Sequence, residues 1–75
     1  MKKRDPVLAK FGASVKKFRD AKNYSQEQLA EKADLDRTYI SDIERGTRNP
    51  GIKNVACLAK ALGIKTAKLT EGVDA

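Results

Sequence analysis

The stretch running from Asp36 to Pro50, DRTYISDIERGTRNP, holds only two aliphatic residues, Ile40 and Ile43. Asp36 suits the N-cap of a helix, because its carboxylate accepts free amides and sits favourably at the positive end of the helix dipole. Gly46 supplies the stop. The stretch therefore predicts a helix over 37–45. With Arg37 set at 0°, Ser41 falls at about 40°, Arg45 at about 80°, Thr38 at about 100° and Asp42 at about 140°. Ile40 and Ile43 fall at about 300° and about 240°. The helix is held by a narrow apolar edge, offers a broad face of donors and acceptors, and has Tyr39 on the border. Such a helix fits the major groove of B-DNA, about 12 Å wide. A merely solvated polar face has the same composition, so the neighbours have to decide.

Upstream, Ser25-Gln26-Glu27-Gln28 is a capping box, in which the Ser25 hydroxyl and the Gln28 side chain satisfy orphan amides reciprocally. It predicts a second helix to about Ala33, with Leu29, Ala30 and Ala33 inside. Only Asp34, Leu35 and Asp36 separate the two helices. Two capped helices joined by so tight a turn, at about 25–45, make a helix-turn-helix.

The first helix is expected from near Pro6 to about Lys22, with Leu8, Phe11, Val15 and Phe18 as one apolar stripe. Arg19 falls inside that stripe's arc, so its guanidinium needs an internal partner. Beyond Pro50, a fourth helix places Ile52, Val55, Leu58, Ala59 and Leu62 on one face and stops at Gly63. A short fifth turn around Thr66 to Glu71 docks Leu69. No alternating β-branched run marks a strand. The expected fold is all-α, a single domain over residues 1–75 built as a compact five-helix bundle.

Composition narrows the function. Seventy-five residues with 40% apolar content, two Phe, two Tyr and no Trp build a small aliphatic core, burying about 60% of the unfolded surface, and no enclosed substrate cavity. Zero His and one Cys remove the usual general base and any His/Cys metal site. The expectation is no enzyme, no cofactor, no metal and no small-molecule ligand. Neither a signal peptide nor a membrane span is read in the sequence, and an unpaired Cys suits a reducing cytoplasm. The net charge is +6, and all of the excess lies in residues 1 to 22. A polyanion-binding surface and a solvated Lys-rich helix give the same excess, and the stripe Lys3, Lys10 and Lys17 fits either. Cys57 lies off the apolar arc of the fourth helix and is expected as an exposed thiol.

Residues 11 to 64 resemble the Cro and phage-repressor type of helix-turn-helix domain, the XRE family. The blocks SQEQLA, LDRTYIS, IERGxRNP and LAKALG occur in the family's order and spacing. Within the family the chain is similar to the controller proteins of restriction-modification systems. The resemblance implies a lambda-repressor-like fold and a transcriptional regulator that binds operator DNA as a homodimer on a palindromic site. It implies that Gln26 fixes a phosphate or a neighbouring side chain. Arg37, Thr38, Ser41 and Arg45 would face the groove with Tyr39 at its edge, while Arg48 and Asn49 grip the DNA backbone. It also gives Arg19 its partner, Glu44. Dimer contacts are expected around Ile64, Leu69 and Val73.

Three positions depart from the family pattern. Asp34 stands where Gly is frequent in the turn, and Asp tolerates the left-handed region better than most residues. Asp42 puts a carboxylate on the groove face, able to accept from a cytosine amino group or to repel phosphates. Lys65 replaces a Ser-type cap before the fifth helix. A protein-interaction module, such as the antitoxin of a toxin-antitoxin pair, is the rival function, although only Thr70 to Ala75 follow the bundle to hold a partner.

Overall fold

In a computed structural model that describes residues 5–74, all regular structure is helical. Helix α1 spans Pro6–Ala21, α2 Gln26–Ala33, α3 Arg37–Arg45, α4 Ile52–Ala61 and α5 Thr66–Thr70, and a 3-10 turn follows at Glu71–Asp74. Lys3 lies outside the described residues. No described helix is long and apolar enough to cross a membrane.

Local chemistry explains each boundary. Asp5 accepts from the Val7 amide at 2.8 Å, with Pro6 at the first helical position. Ser25 and Gln28 form both halves of the capping box, at 3.0 and 2.8 Å. Asp34 ends α2 in the left-handed region (φ 58°, ψ 44°), and the Leu35 amide donates back to the Ala30 carbonyl at 2.8 Å. Asp36 then caps α3 by accepting from Thr38 N at 2.8 Å. By contrast, α5 starts at Lys65 with no side-chain cap. It is tied down by Leu69, fully buried, and by the Ser14 hydroxyl donating to the Leu69 carbonyl at 2.6 Å.

The core is aliphatic: Val15, Leu29, Ile40, Ile43, Leu58, Leu62 and Leu69 are essentially inaccessible. Helix α3 is wedged between α1 and α2, while α4 packs on α2 and α5. The approach of α1 to α3 requires glycine. A Cβ on Gly12 would lie 2.2 Å from the Ile43 carbonyl oxygen, so the two helices touch backbone to backbone. Gly46 combines a left-handed φ of 74° with the same constraint, its Cβ position being 2.8 Å from Ala9 Cα.

Two expectations are corrected. Ile52 is 75% exposed, although its angular position belongs to the apolar face. It is the first residue of α4, and the buried residues of that helix begin one turn later, at Val55. Leu69 points wholly into its own core and cannot be dimer glue; Ile64 and Val73, only partly buried at the edge of the core, can. Cys57 is exposed.

Candidate nucleic-acid interface

On the inner side of α3, Glu44 gathers three helices. Arg19 of α1 donates through Nε to Glu44 Oε2 at 2.6 Å and through Nη2 to Oε1 at 3.0 Å. Its Nη1 donates to the Tyr24 carbonyl at 2.7 Å. Gln26, the first residue of α2, donates from Nε2 to Glu44 Oε1 at 3.0 Å. Both charged side chains are largely out of water, 11% exposed for Arg19 and 5% for Glu44. The hydrogen bond to Glu44 raises the Arg19 pKa above its ordinary value, against the opposing pull of burial. Of the two partners considered for Gln26, the structure shows a neighbouring side chain.

The outer side of α3 is different. Arg37 and Thr38 are exposed and Ser41 is half-buried. Among the described residues, their side chains and that of Asn49 make no hydrogen bond to the rest of the protein. These groups are uncommitted, which is what a surface that must bond to something else requires.

A second polar cluster borders this face. Asp42 accepts from Arg45 one turn later through Oδ1, and its Oδ2 lies 3.6 Å from Arg48 Nη2. The carboxylate is thus shared by two guanidinium groups before any ligand arrives. Arg48 lies over the Tyr39 ring, 4.8 Å from its centroid. The Tyr39 hydroxyl accepts from Asn54 Nδ2 of α4 at 2.9 Å. Arg48 and Arg45 remain about half or more exposed, at 48% and 64% of their side chains.

Sequence reasoning missed Asn54, and no local signal points to it, because its partner is fifteen residues away. The link between Asp42 and Arg45 was missed as well, although residues three apart share a helix face and the spacing could have suggested it.

Comparison with known proteins places this geometry. A helix-turn-helix family model matches residues 15–69. The control protein C.BamHI of Bacillus amyloliquefaciens is 52% identical over 62 residues, covering 81% of this chain and 76% of that protein. The crystal structure of the restriction-modification controller protein C.AhdI from Aeromonas hydrophila superposes with a TM-score of 0.81 at 45% identity, over 83% of this chain and 94% of that one. The controller protein C.Esp1396I, solved as a tetramer with its natural 35 base-pair operator, gives a TM-score of 0.81 at 41% identity, over 91% and 90% of the two chains. With a family model matched over most of its length and about half of its aligned residues identical to those of C.BamHI, the chain belongs to the helix-turn-helix family of the Cro and phage-repressor (XRE) type.

Proposed function

We propose that the protein is a transcriptional regulator that occupies an operator as a homodimer or higher multimer, and that it serves as the controller of a restriction-modification system. The observation that carries this reading is the uncommitted polar face of α3, held outward by the half-buried Arg19–Glu44–Gln26 cluster. In this reading α3 lies in the major groove. Arg37, Thr38, Ser41 and Arg45 meet base edges, Tyr39 stands at the groove edge, and Arg48 and Asn49 hold the backbone. Gln26 keeps one amide N–H for a phosphate. Asp42 tethers Arg45 and Arg48 until DNA offers them better partners. No catalytic step is involved, and the protein works in the cytoplasm. The similarity to C.Esp1396I, solved on its operator, supports the partner assigned here.

Selection of bound sequences from a random duplex pool tests the proposal. The expected result is an enriched inverted repeat with half-sites about 10 bp apart, or a multiple of that, as two-fold symmetry on B-DNA requires. Recovery of no preferred sequence would overturn it.

A further inference from the structure

The contact between Asn54 and Tyr39 has a chemical direction. A phenol oxygen carries one proton and accepts through its lone pairs. Because Asn54 Nδ2 donates to that oxygen at 2.9 Å, the hydroxyl proton must point elsewhere. No acceptor among the described residues takes it. The ring itself is held from a second side by the Arg48 guanidinium, which Asp42 steadies in turn. Asn54 stands in the first turn of α4, next to the buried Val55, on a helix anchored in the core. A donor on a rigid element fixes its partner better than one on a loop.

We propose that Asn54 is a positioning residue that sets the polarity of the Tyr39 hydroxyl, making it a hydrogen-bond donor toward the DNA. The proposal rests on the DNA-binding reading above. It gives α4 a part in recognition: α4 decides that Tyr39 offers a proton, and so that its target is an acceptor. Duplex DNA presents acceptors of two kinds, phosphate oxygens and the acceptor edges of the bases.

The test is a double-mutant cycle on the full chain, using the preferred duplex from the selection and a scrambled one. Tyr39→Phe removes the hydroxyl and is expected to weaken binding about tenfold, the size of one hydrogen bond to a charged or strong acceptor. Asn54→Asp keeps the shape but replaces the donor with an acceptor, so the Tyr39 proton turns inward. It is expected to cost about tenfold more in the presence of Tyr39 than in the Tyr39→Phe background. The second background carries the same added negative charge, so plain repulsion from phosphates cancels. Asn54→Ala frees the hydroxyl without reversing it and is expected to cost less than Asn54→Asp. A coupled loss confined to the preferred duplex assigns a base acceptor, and an equal loss on both assigns a phosphate; either supports the proposal. Equal costs of Asn54→Asp in the two backgrounds overturn it. If the wild-type chain binds no duplex at all, the DNA-binding reading falls and the proposal falls with it, whereas additivity in a protein that does bind removes the role of Asn54 alone. Urea melts of each variant confirm that folded protein is being compared.

Discussion

Arg19 on α1 and Glu44 on α3 meet side-on, two guanidinium nitrogens against two carboxylate oxygens at 2.6 and 3.0 Å. The pair fixes the helix that faces outward to the first helix of the bundle. Removing one partner leaves the other charge buried, which costs about 3 to 5 kcal/mol. For a chain this small that is a large share of a total stability of about 5 kcal/mol or somewhat more. Glu44→Ala is therefore expected to be largely unfolded or to melt at far lower urea than wild type. Wild-type stability for this variant would show that the pair is not a structural joint.

Gly12→Ala sets two effects against each other. Alanine in a helix interior gains about 1 kcal/mol over glycine, but its Cβ would meet the Ile43 carbonyl oxygen at 2.2 Å. Overpacking of a close contact costs about 1 to 3 kcal/mol, and more when backbone must move. The clash wins, and net destabilisation of about 1 kcal/mol or more is expected in urea melts. Gly51→Ala has open space around it; at the N-cap of α4 it loses a favoured cap residue but orders the unfolded chain, so the change is expected to stay within about 1 kcal/mol.

Ile52 and Leu62 separate angular position from burial. Ile52→Glu is expected to leave stability within about 0.5 kcal/mol, helped by a negative charge in the first turn of α4. Leu62→Ala is expected to cost about 2 to 5 kcal/mol. Thermal or urea melts of the two variants make the comparison. A large loss at Ile52 would contradict its exposure.

Arg37→Ala and Arg48→Ala are expected to fail differently. Loss of a base-edge contact at Arg37 costs about 1 to 3 kcal/mol on the preferred site and relaxes the choice at one base position. Loss of a phosphate contact at Arg48 weakens binding to all sequences and lowers the salt slope by about one unit. Affinities for preferred and scrambled duplexes at several salt concentrations separate the two. The opposite pattern would mean that α3 is oriented otherwise.

The exposed Asp20 carboxylate is held below its ordinary pKa chiefly by the hydrogen bond from Lys16 at 3.0 Å. A depressed folded-state pKa contributes stability above the unfolded value, about 3.9, and loses it as pH falls through the folded value. Asp20→Asn is thus expected to show a slightly smaller drop in Tm on acidification to about pH 3. Salt should erase the difference, because the pair is exposed.

The helix-turn-helix was legible because its signals are local. Ser25 with Gln28, Asp36 and Gly46 each act within a few residues of the boundary they set, and the observed limits of α2 and α3 agree with them. Arg19 was legible as a residue in need of a partner, but its partner is 25 positions away, and only the family resemblance named it. Periodicity misplaced Ile52 because a helical angle says nothing about where along the axis a neighbour stops. The pattern of the fifth turn docked Leu69 correctly, and it was the expected dimer contact that conflicts with its complete burial. Asn54 escaped notice for the same reason as any long-range polar contact: neither member looks unusual alone.

The bare main-chain contact between Gly12 and Ile43 leaves the outward side of α3 free to drift. On its inner side the depth of that helix is limited by backbone meeting backbone, and Arg37, Thr38 and Ser41 make no hydrogen bond that seats it. A lineage can exchange Arg37, Thr38 or Ser41 without renegotiating its fold. Regulator and target sequence can then diverge together, one readable position at a time, while the scaffold beneath is inherited unchanged.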